Sequence, residues 1–142
     1  MSGLDQLLRL QKWNLDEKRR QAADLEGLIQ RLQGDVARLD AEVAREIEAA
    51  RNDLQAARVL PPYRAVMASR RERLEQSIAD VTIELDRVRE EIAETFSDIK
   101  KTEQAIQLRQ ERRRQELARR EQIVADEMGL EQHRRNRGKM DS

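Results

Sequence analysis

Several residue types on which most globular proteins depend are scarce or missing in this chain of 142 residues. Cysteine is absent, which excludes disulfides and thiolate metal sites and is typical of a reducing compartment. Aromatic residues make up only 2% of the chain. No apolar run approaches the roughly 20 residues that cross a bilayer. The first ten residues lack the basic region of a secretory signal. These absences favour a cytoplasmic protein without a conventional globular core.

The signatures of catalysis and of metal binding are also missing. His133 is the only histidine, and the sequence contains no HExxH motif, no glycine-rich phosphate loop and no EF-hand loop. Carboxylates are plentiful, but on solvated helices nothing would shift their pKa values for acid–base chemistry. We therefore expect no enzymatic activity, no catalytic or metal-binding residues and no cofactor.

Charged residues make up 39% of the chain, yet basic and acidic residues balance to a net charge of zero. The run at residues 109–114 is locally basic, as phosphate binding requires, but a glutamate interrupts its arginines and it has no aromatic stacking partner. The basic segment around His133 lacks the bulky apolar face of an interfacial helix. We expect no nucleic-acid partner and no direct membrane insertion.

Apolar residues recur at alternating steps of four and three, which is the spacing of a left-handed coiled coil. After Val43 the next step is four where three is due, a stutter that locally unwinds a supercoil. The first series comprises Leu4, Leu8, Gln11, Leu15, Lys18, Ala22, Leu25, Ile29, Leu32, Val36, Leu39 and Val43. The second comprises Met67, Arg71, Leu74, Ile78, Val81, Leu85, Val88, Ile92, Thr95, Ile99, Thr102 and Ile106. The polar residues in these two series either fix the register in which the helices pair or loosen the terminal end of the hairpin for a partner.

Two adjacent prolines separate the series, and both disfavour a helical conformation in the residue before them. The sequence therefore predicts an all-α fold, with two long helices in an antiparallel coiled-coil hairpin that spans residues 1–142. The alternative is a pair of proline-kinked helices that dimerises with another chain. In the hairpin, residues beyond about Arg120 should overhang as a single helix. The predicted segments are helix one at about 4–58, a break at 59–62, helix two at about 63–135 and a tail at 136–142.

Charge is segregated along the chain. Residues 35–53 and 80–98 are mainly acidic, whereas residues 9–20, 58–73 and 109–139 are mainly basic. In a hairpin that folds at the prolines, the acidic stretches would meet in the middle and both ends would be basic. Basic ends would favour electrostatic docking of a partner protein. The simpler interpretation is that these charged faces are only solvated.

Four stretches carry a family resemblance. They are Lys100-Lys101-Thr102-Glu103, Leu108 to Arg114, Glu121-Gln122 and Ala125-Asp126-Glu127. Together with the opening Leu4 to Leu10, they resemble the flagellar export protein FliJ family, with its lysine pair, its Glu/Arg-rich run and its late Asp-Glu pair. Ala125 stands where a leucine is more typical, and the Pro61-Pro62 break is not a family hallmark. The coiled-coil stalk proteins of injectisome type III secretion are the nearest competitor.

The resemblance implies a hairpin like the gamma stalk of rotary ATP synthases. Such a protein activates the hexameric flagellar export ATPase, links it to the membrane export gate and handles export chaperones, at the cytoplasmic face of the inner membrane. A structural tether or an injectisome stalk is the alternative. The implied ATPase-binding residues are Leu7, Leu8, Lys12, Leu108, Arg112, Arg113 and Glu116. The implied gate-binding residues are Arg70, Leu74, Ser77 and Val81.

Overall fold

A computed structural model describes residues 2–140, which form two long helices and one sharp reversal. Helix α1 spans Gly3–Ala49, a single 3-10 turn spans Ala50–Asn52, and helix α2 spans Leu54–Met140. The predicted all-α fold, an antiparallel hairpin of two long helices, is confirmed. Contacts divide the described chain into two units, one of residues 11–97 and one of residues 2–10 with 98–140.

The chain reverses at residues 50–53, so the predicted break at 59–62 is wrong. Asp53 has extended backbone angles, φ −130° and ψ 110°. Its Oδ1 accepts hydrogen bonds from the backbone amides of Gln55 at 3.0 Å and Ala56 at 3.2 Å. This N-cap satisfies amides that the start of a helix otherwise leaves without a partner. Helix one therefore ends at Ala49 rather than near residue 58, and helix two begins nine residues before the predicted start at 63.

Pro61 and Pro62 lie inside α2, and both are exposed. Each lacks the amide that would bond the carbonyl four residues earlier, and a proline in a helix interior costs about 3 kcal/mol. Burial of an apolar face outweighs this cost, because the heptad spacing continues back through the prolines. The continuing residues, all buried or half-buried, are Ala56, Leu60, Tyr63 and Met67.

The far end of α2 also differs from the prediction. The helix runs to Met140, so the predicted end near 135 is wrong, and the part of the predicted tail at 136–140 is helical. Arg137 and Lys139 lie in the last turn, where basic side chains interact favourably with the helix dipole. The remaining tail residues, 141–142, lie outside the described residues.

The two heptad series form the packing faces, as predicted. Every residue of the first series from Leu4 to Val43 is buried or half-buried, and so is every residue of the second from Met67 to Ile106. After the stutter the first face continues to Ala50, which is buried. In the unit of residues 11–97, the core cluster comprises Ala22, Leu85 and Val88, with Leu25, Ile29 and Ile92 packed around it.

The earlier turn changes the register and brings opposite charges together. Acidic residues 35–53 lie against the basic stretch 58–73, and basic residues 11–20 lie against the later part of the acidic stretch 80–97. The predicted acidic middle between basic ends is therefore wrong. Three ion pairs join α1 to α2 within the unit of residues 11–97: Lys18–Glu91 at 2.8 Å, Glu26–Arg89 at 3.0 Å and Asp40–Arg71 at 2.9 Å.

Polar residues on the packing faces are mostly satisfied. The hydroxyl of Thr95 donates to the carbonyl of Glu91 at 2.8 Å, and that of Thr102 donates to the carbonyl of Asp98 at 3.1 Å. The pairing of Lys18 with Glu91 across the helices agrees with a role in fixing the register.

Candidate protein-interaction surfaces

The first turn of α1 is held by reciprocal hydrogen bonds between Ser2 and Asp5. The Ser2 amide donates to Asp5 Oδ2 at 3.3 Å, and the Asp5 amide donates to Ser2 Oγ at 3.3 Å. The Ser2 hydroxyl also donates to Asp5 Oδ2, at 2.9 Å. This arrangement is a capping box with aspartate in the usual place of glutamate. The hydrogen bond from the Ser2 side chain lowers the pKa of Asp5, with a smaller effect from the charge of Arg109. The box fixes the turn that precedes Leu7 and Leu8.

A cleft of about 270 Å³ lies between this turn and α2 within the same unit. It is lined by Ser2, Asp5, Ile106, Arg109, Gln110 and Arg113. The structure thus brings Arg113, a predicted ATPase contact, beside the start of α1. Leu7 is 43% exposed, whereas Leu8 is half-buried on the packing face. Leu8 therefore supports the hairpin itself, and Leu7 is available to a partner.

The other predicted ATPase contacts on α2 share one face. Leu108, Arg112 and Glu116 follow one another at steps of four, which places them in adjacent turns on the same side of a helix. All three are exposed, and Leu108 is 54% exposed. Glu116 accepts a hydrogen bond from Arg120 at 2.8 Å. This strip, called the 108–116 face below, offers an apolar group, a cation and an anion in sequence.

Lys12 is the one predicted ATPase contact that belongs to the other unit, that of residues 11–97. Its side chain is exposed.

Three of the predicted gate-binding residues line a common groove. The groove, of about 320 Å³, is formed by Arg70, Leu74 and Ser77 together with Leu39 of α1 and Arg73. Leu74 is half-buried, so it both packs in the hairpin and, with Leu39, lines the apolar part of the groove. Val81, the fourth predicted residue, is half-buried on the packing face and is not among the residues that line the groove. Sequence reasoning missed Leu39, because its place beside α2 depends on the true register. It also missed Arg73, which helix spacing from Arg70 and Ser77 could have indicated.

Helix α2 is exposed over a long stretch. Every described residue from Arg112 to Met140 is exposed, so the exposed extension begins earlier than the predicted position near Arg120. The earlier turn is the reason, because it shifts the part of α2 that α1 covers towards the N-terminus. The extension includes bulky apolar side chains that are between 49% and 67% exposed, namely Leu117, Ile123, Val124, Met128 and Leu130.

Among residues 2–140, no helix is long and apolar enough to cross a membrane. Within the same range, no three histidine, aspartate or glutamate side chains come together as a candidate metal site. Comparisons with protein-family models, with curated proteins and with solved structures find no match to this chain.

Proposed function

We propose that this chain is a non-catalytic stalk of the flagellar type III export apparatus, which binds and activates the hexameric export ATPase. The observation that carries the proposal is the exposed 108–116 face of α2, in the same unit as the capped first turn of α1. The residues that the resemblance to the FliJ family assigns to ATPase binding are, apart from Leu8, exposed on the described surface. The proposed location is the cytoplasmic face of the inner membrane, at the flagellar base.

The chemistry of this face suits a protein partner. An exposed leucine flanked by charged side chains combines an apolar anchor with charges that select and orient a partner. A stalk that binds one conformation of an ATPase ring better than another shifts the ring towards that conformation. Activation then requires no catalytic group on the stalk itself.

The double variant Arg112→Glu/Arg113→Glu tests this assignment. We expect it to lose stimulation of ATP hydrolysis by the export ATPase while its far-ultraviolet circular dichroism stays that of the unchanged chain. The control is Arg134→Glu/Arg135→Glu, which reverses two exposed adjacent arginines elsewhere on α2. Full stimulation by the first variant, or an equal loss of stimulation in the control, would contradict the assignment of Arg112 and Arg113 to ATPase binding. A structural tether or an injectisome stalk would then be the remaining interpretations.

The groove formed by Arg70, Leu74 and Ser77 is the proposed contact with the membrane export gate. The groove is lined by two arginines and two leucines, which fit a segment that carries an apolar residue between carboxylates. Arg70→Glu should weaken binding to the cytoplasmic domain of the gate protein, whereas Arg64→Glu, an exposed arginine outside the groove, should not. Equal binding by both variants would remove the groove from the proposal. Export chaperones are the third class of proposed partner.

A further inference from the structure

The exposed extension of α2 carries an apolar stripe of its own. Leu117, Val124 and Met128 are spaced by seven and four residues, so they lie on one face of the helix. They are 58%, 53% and 67% exposed. Glu121 lies four residues after Leu117 and three before Val124. With Met128, the four positions therefore follow one another at steps of four, three and four. This is the heptad spacing of a helix that packs on another helix, and no residue in the described part of the chain covers it.

The same segment is divided into two blocks of opposite charge. Residues 112–120 contain five arginines and one glutamate, whereas residues 121–131 contain four acidic residues and no basic one. The two blocks are adjacent, of similar length and of equal and opposite net charge. A segment with this pattern is complementary to itself when two copies run in opposite directions.

We propose that residues 112–131 bind a second copy of this chain as an antiparallel helix pair with a twofold axis. In that arrangement the basic block of each copy lies on the acidic block of the other. A parallel pair would instead place like charges together, at a cost that opposes it. Twofold symmetry repeats every contact, so each favourable pair counts twice.

One register pairs the stripe positions of the two copies and also places opposite charges side by side. With the axis between Gln122 and Ile123, Leu117 lies opposite Met128 of the second copy, and Glu121 lies opposite Val124. These are the layers that an antiparallel coiled coil forms from its heptad positions. The same register sets Arg120 beside Glu127 of the second copy.

The existing side-chain contacts of the segment do not oppose this pairing. Arg120 forms an ion pair with Glu116, and Arg114 forms one with the half-buried Glu111, each between neighbouring turns of the same helix. Exposed ion pairs of this kind contribute little, so they exchange partners readily. The stripe lies on a different side of α2 from the 108–116 face, although the basic block includes Arg112 and Arg113 of the proposed ATPase contact. Arg120 and Glu127 lie outside that proposed contact, so variants at these two positions test the dimer separately from the proposed function.

Sedimentation equilibrium of the full chain tests the proposal. We expect a monomer–dimer equilibrium that weakens as salt is raised, because screening reduces the attraction between the blocks. Arg120→Glu and Glu127→Arg should each weaken dimerisation about tenfold or more, because each places like charges together at both symmetric contacts. An equimolar mixture of these two variants should dimerise again, since each then supplies the charge that the other needs. The double variant Arg120→Glu/Glu127→Arg should dimerise for the same reason.

The matched control is Arg119→Glu, which makes the same charge change on the side of the helix away from the stripe. It should dimerise more tightly than Arg120→Glu, and circular dichroism should be the same for all variants. A chain that is monomeric at every concentration and salt overturns the proposal. So does a mixture of the two single variants that stays monomeric, or a control that loses dimerisation as fully as Arg120→Glu.

Discussion

At the scale of single residues, Val88 is the most deeply buried large side chain, with 0% of its surface exposed. It packs with Ala22 and Leu85, in a hairpin where few side chains are fully buried. Burial of each such side chain therefore contributes a large share of the free energy of unfolding. The heptad spacing predicted its position on the packing face, because the spacing depends only on helix geometry.

Val88→Ala should lower the free energy of unfolding by about 2 kcal/mol, because it removes buried methyl groups and leaves a cavity. Val66→Ala is the matched control, since Val66 is 52% exposed on the same helix. Its effect should stay within about 0.5 kcal/mol. Urea denaturation followed by circular dichroism compares the two. Equal effects would mean that Val88 is not in the core.

The ion pair between Lys18 and Glu91 makes stability depend on pH. The hydrogen bond from Lys18 is the main cause that lowers the pKa of Glu91 below its ordinary value of 4.5, and Arg87 adds to the effect. A carboxylate whose pKa is lower in the folded chain stabilises the fold above its unfolded pKa. That contribution is lost as the pH falls through the folded pKa.

Lys18→Met should therefore reduce the loss of stability on acidification below about pH 4.5, because the shift in the pKa of Glu91 becomes smaller. Thermal denaturation at a series of pH values measures this. The remaining acid dependence should come from groups such as Glu84, whose pKa is lowered by Arg87. A pH profile identical to that of the unchanged chain would show that the pair does not set the pKa of Glu91.

At the scale of elements, the sequence predicts the two helices but places the turn between them at the wrong residues. Asn52 and Asp53 before Leu54 are a typical helix start, and the heptad spacing runs on through Leu60 and Tyr63. Both signals were present in the sequence, but the two prolines were a stronger local signal. Local propensity is a weak prior that tertiary packing can override. The register, the ion pairs and the place of Leu39 in the groove at Arg70 all depend on the turn, so a prediction that folds the chain at the prolines misses them.

Pro61→Ala/Pro62→Ala should raise the free energy of unfolding by several kcal/mol. Each alanine restores an amide to the interior of α2, where a proline costs about 3 kcal/mol. Urea denaturation measures the change, and Ala65→Gly, at an exposed position of the same helix, should lower the free energy of unfolding by about 1 kcal/mol. If the double variant destabilised the chain, the prolines would belong to a turn, and the reversal at 50–53 would be incorrect.

At the scale of the whole molecule, the chain has equal numbers of basic and acidic residues, and three ion pairs join α1 to α2. Basic and acidic stretches of residues 11–97 lie against one another, so these charges agree with the register that the packing faces set. The hairpin follows from periodicity and was predicted from the sequence. The exposed faces were not all predicted, because periodicity identifies apolar stripes without indicating which of them α1 covers.

The most direct test of the proposed stalk is a titration of the flagellar export ATPase of the same organism with this chain, read out as ATP hydrolysis. A stalk at the centre of a ring should stimulate hydrolysis and saturate near one chain per hexamer. Stimulation that needs one chain per ATPase subunit would contradict a central position. Absence of both stimulation and co-sedimentation with the ring would contradict the proposed function altogether.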